Sequence, residues 1–460
     1  MSDAGAVAVL VERPLPGVTV PQLIVTDAAA ALGVSAAWRA GDPSLRLGIV
    51  GITGTDGKTT TAYLTRAILE VAGHRVGLVG TTDVIVGGRS LGNEARVSTP
   101  EAPELQGFLA AMVAAGDDWA VVESTSHGLA QQRVAGVAYD VAVLTNITAE
   151  HLELHGTVEA YREAKRGLFA RLAVSDENPE KGHGKHAVVN ADDSAAEAFS
   201  RTAIEAGARV VRYGLGGRLG ATRTAPLTDL EVAATEVTEE PGRMVVAMRS
   251  GGWAGRVGLQ LAGRFNAHNA MAAMGVAAAL GHDLDVAADA LGSLASVPGR
   301  MERIDEGQPF SVIVDYAHTA EALATVLDEL APAGDAGLIA VFGSAGERDT
   351  GKRAEMGRVA GERCRLVVIT DEDPRGEDRM AILEAIAVGA EAAGKRRGDD
   401  LLIIPDRRDA IAAAIRRARR GDVVLLAGKG HEKTIETAGG ELPWDEAAAA
   451  REALRSLAGG

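Results

Sequence analysis

Cysteine is almost missing from this sequence: Cys364 is the only one in 460 residues, which excludes an intrachain disulfide and fits a reducing compartment. Aromatic residues reach only 3%, so a core must be assembled from Ala, Val, Leu and Ile. Basic residues fall short of acidic ones, 47 against 63, leaving a net charge of −16. That balance argues against a nucleic-acid backbone or an anionic membrane as the main partner. A phosphate ligand stays compatible with it, because such sites use local amides and a few cations. No stretch has the uninterrupted apolar length of a membrane span. The opening MSDAGAVAVLVERPLPG lacks the basic start and cleavage pattern of a signal peptide. These absences predict a cytoplasmic protein with no nucleic-acid partner and no membrane insertion.

What is present is rhythm. Short Val/Ile/Leu runs alternate with Ala-rich helical patterns, the signature of an α/β protein with mostly parallel sheets. Leu45–Gly51 reads as a buried strand and 58–72 as a helix with Leu64, Ala67, Ile68 and Val71 on one face. Further strands are expected at Trp119–Glu123, Val141–Leu144 and Ala187–Asn190, with an antiparallel edge over 230–261 and a helix from Asn266. After Val297-Pro298-Gly299 the rhythm restarts, which predicts a domain boundary. Strands at Ser311–Asp315, Leu338–Phe342, Leu366–Thr370, Leu401–Ile404 and Val423–Ala427 predict a second, doubly wound sheet. Ligands of such sheets gather beyond the carboxyl ends of the strands. The polar clusters Asp315, Gly343–Arg348, Asp371–Arg375 and Lys429–Glu432 all fall there.

The sharpest motif is Gly51-Ile-Thr-Gly54-Thr55-Asp56-Gly57-Lys58-Thr59-Thr60, set between a strand and a helix. Amides of a Gly-rich turn and the positive helix end can hold phosphate oxygens. Lys58 would supply a point charge to the β- and γ-phosphates and Thr59 a hydroxyl to Mg²⁺. Ile52 stands where the common G-x-x-x-x-G-K-[ST] form has its first Gly. The G-T-D-G-K-T-T variant resembles the loop of Mur ligases and folylpolyglutamate synthases, and the resemblance runs from Leu45 to the C-terminal helix.

Making an amide from a carboxylate with ATP brings two anions together, so cations are needed. Glu123 ends a strand within Glu-Ser-Thr-Ser-His-Gly-Leu, and His151 lies in Thr145-Asn146-Ile-Thr-Ala-Glu150-His151-Leu-Glu153. Oxygen ligands plus one imidazole make a plausible Mg²⁺ environment. These blocks look like the MurE branch of the Mur ligases, which add the third residue to UDP-N-acetylmuramoyl-dipeptide. The resemblance implies Mg²⁺ at Thr59, Glu123 and His151, and carbamylation of Lys165 to give an anion near the metal. Read on its own, Lys165 is an exposed helical lysine. Where the family has Asp-His-Leu-Asp, this sequence has Glu150-His151-Leu152-Glu153.

The resemblance further implies ATP contacts at Gly54 to Thr60, Asn146, Asn269, Arg300 and Asp315. Acceptor contacts fall on Ser98, Thr99, Thr125, Gln131 and Arg133. An amino-acid pocket falls on Arg348, Asp373, Arg375, Gly428 and Glu432. Arg375 favours a distal carboxylate, as in meso-diaminopimelate. Asp373 replaces the usual Asn, and an acid there suits a distal amine, which keeps lysine or ornithine open; another acceptor altogether is a further alternative. The structural alternative for Arg375 is a surface salt bridge with Glu377. The expected whole is a monomeric ATP- and Mg²⁺-dependent ligase working through an acyl phosphate. It comprises a remnant of a uridine-nucleotide-binding domain at 1–44, an ATPase domain at 45–298 and an amino-acid-binding domain at 299–460. A hinge beside Arg300 would carry that cation to the nucleotide. Gly5–Glu12 and Pro21–Val25 resemble only the final strands of the first domain. They predict an appendage on the central sheet and weak uridine binding.

Overall fold

A computed structural model describes residues 6–93, 97–148, 152–173, 181–215, 229–240, 243–332 and 334–458. The chain divides into two compact units. The first comprises Met1–Pro241, Val245–Leu259 and Phe265–Leu294; the second is chiefly Ala295–Gly460, with Gly242–Met244 and Gln260–Arg264.

The first unit is built on an eleven-stranded sheet. At its centre Gly48–Thr53 runs parallel between Val141–Leu144 and Trp119–Glu123. All three strands are buried along their whole length. That burial explains their continuous apolar sequences, since a parallel sheet is covered on both faces. The register pairs Ile52 with Glu123 and Thr53 with Leu144, so one phosphate-type loop emerges between Glu123 and Thr145. Val232–Glu240, Arg243–Ser250 and Trp253–Leu259 occupy one edge. The scarcity of aromatics is met by close packing: the Asn266–Leu280 helix buries Ala267, Ala270, Ala272, Ala273 and Ala277.

One expectation shifts. The strand starts at Gly48 rather than Leu45, because Asp42 (φ 50°) and Pro43 set a 3₁₀ turn over Pro43–Leu45. Val9–Val11 and Gln22–Ile24 form their own two-stranded parallel sheet. The Ala28–Arg39 helix joins this segment to the unit by close approach of Gly33 to Gly136, where an added Cβ on Gly136 would lie 2.5 Å from the Gly33 oxygen.

The second unit holds a six-stranded sheet ordered Glu302–Ile304, Ser311–Asp315, Val423–Ala427, Leu338–Phe342, Leu366–Ile369, Leu401–Ile403. Only the first pairing is antiparallel. The carboxyl ends of four adjacent strands therefore deliver Asp315, the Gly428–Glu432 turn, the Gly343–Arg348 loop and the Asp371–Arg375 loop to one rim. Cys364 is buried, and that burial pushes its thiol up to about 12, leaving it inert at neutral pH.

Candidate active site

The loop after Gly48–Thr53 is held open by its own partners. Gly54 sits at φ 150°, and a Cβ there would lie 1.8 Å from Thr145 Oγ1. Gly57 caps the Lys58–Val71 helix at φ 79°, and a Cβ there would meet Asn269 Oδ1 at 2.3 Å. Both positions need glycine. Asn146 braces the loop like an extra strand residue. Its Oδ1 accepts from Asp56 N at 3.0 Å, its Nδ2 donates to Asp56 O at 3.1 Å, and its carbonyl accepts from Thr55 N at 2.8 Å. Asn269 is tied to Asn266 at 2.8 Å and accepts from Thr61 at 3.4 Å. Thr59 and Thr60 are both buried in the first turn of the helix.

Lys58 folds back over the loop, donating to the carbonyls of Gly54 at 3.0 Å and Thr55 at 2.7 Å. Lys165 reaches the same Gly54 carbonyl at 2.6 Å, 4.5 Å above the Tyr161 ring. At 2% exposure it is a buried lysine, not the exposed helical residue that its sequence suggests. The hydrophobic face of the Val158–Ala170 helix carries it inward, with Tyr161, Leu168 and Phe169 buried beside it. Tyr161 in turn bonds Thr55 Oγ1 at 2.9 Å.

Glu123 is fully buried at the end of its strand. Thr59 Oγ1 donates to its Oε2 at 3.1 Å, Thr81 Oγ1 to the same oxygen at 2.9 Å, and Thr81 N to Oε1 at 2.9 Å. Ser98 joins through Thr81 at 2.7 Å. Four oxygen-bearing side chains thus meet beside the loop, a donor set that suits a hard divalent cation. As an ammonium, Lys165 would repel that cation; only an anionic carbamate would let it join the set. Among the described residues no group of three or more His, Cys, Asp or Glu side chains forms a metal cluster. His151 lies outside the described residues.

Next to this cluster Thr99 donates to the Glu123 carbonyl at 2.8 Å and bonds Thr125 at 3.0 Å. Thr125 caps the Ser126–Ala130 helix. Arg133 donates to the Thr99 carbonyl at 2.9 Å and to Gln131 at 2.6 Å, and pairs with Glu101 at 2.9 Å. The five residues read as acceptor contacts therefore form one continuous wall with Glu123.

In the second unit Asp315 accepts from Met301 N and Ala317 N, both at 2.8 Å. Burial raises its pKa against the pull of Arg300 and those two amides. The Arg300 guanidinium stacks 4.8 Å over Tyr316. Asp373 does not stand as a lone acid: its Oδ1 accepts from the fully buried Lys429 at 2.8 Å and from Glu436 N at 2.8 Å. Lys429 also donates to Glu432 at 2.5 Å, and Tyr316 bonds Glu432 at 3.4 Å. Gly428 (φ 99°) turns over Glu372, whose buried Oε2 has no hydrogen-bond partner. Glu377 does not pair with Arg375. It pairs with Arg353 at 2.6 Å, while Arg375 Nε donates to Glu436 at 2.8 Å. Arg348 is exposed on its loop.

Sequence reasoning missed Thr81, Tyr161, Glu436 and the buried pair Arg407–Glu446. It named Lys429 only as part of a polar cluster. Thr81 lies in no motif and Tyr161 only opens the block that ends in Lys165, and each owes its role to a long-range contact.

The Mur ligase middle-domain model matches residues 52–277, and the Mur ligase, glutamate ligase domain model matches 299–430. The chain belongs to the Mur ligase family. Members of the family are ATP-dependent ligases that form carbon–nitrogen bonds. This Mur ligase is 47% identical over 460 residues to the UDP-N-acetylmuramyl-tripeptide synthetase of Roseiflexus sp. (strain RS-1), covering 99% of this chain and 88% of that one. It is 37% identical over 455 residues to the UDP-N-acetylmuramoyl-L-alanyl-D-glutamate–2,6-diaminopimelate ligase of Geobacillus thermodenitrificans (strain NG80-2), covering 98% and 88%. A solved structure of a ligase of that second name matches with a TM-score of 0.66 at 31% identity, over 98% of this chain and 87% of the other. Folylpolyglutamate synthase of Mycobacterium tuberculosis complexed with ADP shares the fold, with a TM-score of 0.68 at 20% identity over 94% and 95%. No helix among the described residues is long and apolar enough to cross a membrane.

Proposed function

We propose that this chain adds a diamino acid, meso-diaminopimelate, to UDP-N-acetylmuramoyl-L-alanyl-D-glutamate, acting as a cytoplasmic monomer in peptidoglycan precursor synthesis. The near full-length kinship with tripeptide synthetases carries this reading. The glutamate carboxylate attacks the γ-phosphorus of ATP, giving an acyl phosphate and ADP. The amine of the incoming residue then attacks the acyl carbon, phosphate leaves with the electron pair of the C–O bond, and the amine proton passes to solvent.

Residues 45–298 serve as the ATPase domain in this reading, 299–460 as the amino-acid domain, and 1–44 as the end of a nucleotide-binding domain. Lys58, with the amides of Gly54 to Thr60, holds the phosphates; Asn146 braces the loop and Asn269 the helix cap beneath it. Thr59, Glu123, His151 and a carbamylated Lys165 would hold Mg²⁺, which neutralises phosphate charge as the two anions approach. Ser98, Thr99, Thr125, Gln131 and Arg133 position the acceptor. Arg300 and Asp315 would contact the nucleotide. Arg348, Asp373, Arg375, Gly428 and Glu432 frame the amino acid.

The lysine alternative rested on the charge of Asp373, and Lys429 compensates that charge. The test is phosphate release with product mass analysis, offering UDP-N-acetylmuramoyl-dipeptide with diaminopimelate, lysine or ornithine. Diaminopimelate is expected to give the highest kcat/KM. Comparable values for lysine or ornithine would reverse the amino-acid assignment, and release supported only by a different acceptor would overturn the reading.

A further inference from the structure

Arg375 is held in an unusual way. It is a non-glycine residue at φ 53°, a left-handed conformation that costs free energy unless neighbours impose it. The imposing neighbour is the Thr434–Thr437 strand: Arg375 N donates to the Glu436 carbonyl at 2.9 Å, and Arg375 bridges to Thr437. Glu436 is itself anchored through its own N–H on Asp373, which rests on buried Lys429. Main-chain bonds thus lock the two residues side by side, and Arg375 Nε donates to Glu436 Oε2 at 2.8 Å. The side chains remain 21% and 28% exposed, so solvent and a ligand can reach both.

We propose that Glu436 is a specificity-determining residue that, together with Arg375, reads a distal centre carrying both a carboxylate and an ammonium. This rests on the ligase reading above and assigns a role to a residue outside the pocket positions inferred from sequence. A guanidinium has five donors in a fixed fork, and the Nε bond to Glu436 turns its Nη edge toward a ligand carboxylate. The Glu436 carboxylate beside it attracts an ammonium and repels a second carboxylate. A ligand end bearing a carboxylate alone gains from Arg375 and loses to Glu436. A lone ammonium meets the reverse. Only an end with both charges gains from both partners, and a near-neutral pair matches a near-neutral zwitterion.

The test uses the full chain, ATP and UDP-N-acetylmuramoyl-dipeptide with three acceptor amines. These are meso-diaminopimelate (both distal charges), lysine (distal ammonium only) and 2-aminopimelate (distal carboxylate only). Glu436→Gln is expected to lower kcat/KM about tenfold for diaminopimelate and lysine, chiefly through KM, while 2-aminopimelate holds or improves. Arg375→Ala is expected to lower diaminopimelate and 2-aminopimelate and to spare lysine. Glu436→Asp should recover part of the diaminopimelate preference. An equal fall for all three amines in Glu436→Gln, as a merely structural role would give, or no change in their ratios, would overturn the proposal. Wild-type protein that forms no amide with any of the three would overturn the ligase reading as well.

Discussion

One carbonyl oxygen, that of Gly54, receives the ammonium groups of both Lys58 and Lys165. Two like charges on one acceptor repel each other, and turning Lys165 into a carbamate would replace that repulsion with attraction. Lys165→Ala is therefore expected to lower amide formation by at least about a hundredfold while ATP affinity stays within a fewfold. Acetate or formate should restore part of the rate by filling the vacated space. Phosphate release and calorimetric ATP titration measure the two quantities, and full activity without additive would refute the role. Gly54→Ala tests the loop itself. Its Cβ would overlap Thr145 Oγ1, and φ 150° is closed to alanine, so the loop must move. Loss of ATP binding is the expected result of the same titration; retention of wild-type affinity would mean that the loop geometry is not what binds nucleotide.

The element scale is governed by a fully buried ion pair. Arg407, at the start of the Arg407–Arg417 helix, donates to Glu446 at 2.7 Å, and both side chains are 0% exposed. The same guanidinium donates to the Asp371 carbonyl at 2.9 Å and the Ala427 carbonyl at 2.8 Å. It thereby ties the ends of two strands that carry the Asp371–Arg375 loop and the Gly428–Glu432 turn. Arg407→Met strands a buried carboxylate and is expected to cost about 3–5 kcal/mol, read by urea denaturation. Adding Glu446→Leu should recover part of that stability, yet KM for the amino acid should stay raised because both carbonyls have lost their donor. Arg407 was invisible in the sequence because Arg408, Arg416 and Arg417 on the same helix are exposed, and nothing local separates it from them. The strands Trp119–Glu123, Val141–Leu144, Ser311–Asp315, Leu338–Phe342 and Val423–Ala427, by contrast, were legible to the residue. Two-sided burial writes itself into a strand as an unbroken apolar run. The Gly-rich loop was legible for a related reason, since its backbone angles admit few residue types. Thr81, Tyr161 and Glu436 depend on contacts across tens of residues, which no local pattern encodes.

At the scale of the whole molecule, each unit has its own apolar core, one around Leu47, Val122 and Phe169, the other around Ile339, Val341 and Leu426. Calorimetry is expected to resolve two transitions, with ATP raising chiefly the one that belongs to the first unit, which carries the phosphate loop. A single transition shifted as a whole would show that the cores are coupled. The second transition can be addressed separately through Glu372, whose pKa burial raises above the ordinary glutamate value. The folded state therefore holds that proton more tightly than the unfolded state does. The stabilising contribution is complete below the unfolded pKa of about 4.3 and is lost as pH rises through the raised folded value. Glu372→Gln should accordingly raise the second transition at pH 8, with a gain that vanishes toward pH 4. A gain independent of pH would assign the effect to packing.

The shortage of aromatic side chains has an optical corollary. Of the four tryptophans, Trp38, Trp119 and Trp253 fall in the first unit, and Trp444 is the only one in the second. Its indole Nε1 donates to Glu446 Oε2 at 2.6 Å, so the chromophore sits on the very carboxylate that Arg407 neutralises. With the other three replaced by phenylalanine, the emission of Trp444 becomes a built-in reporter of that lock. Its wavelength and quenching would follow, without any added dye, whether amino-acid binding reaches the ion pair beneath the pocket.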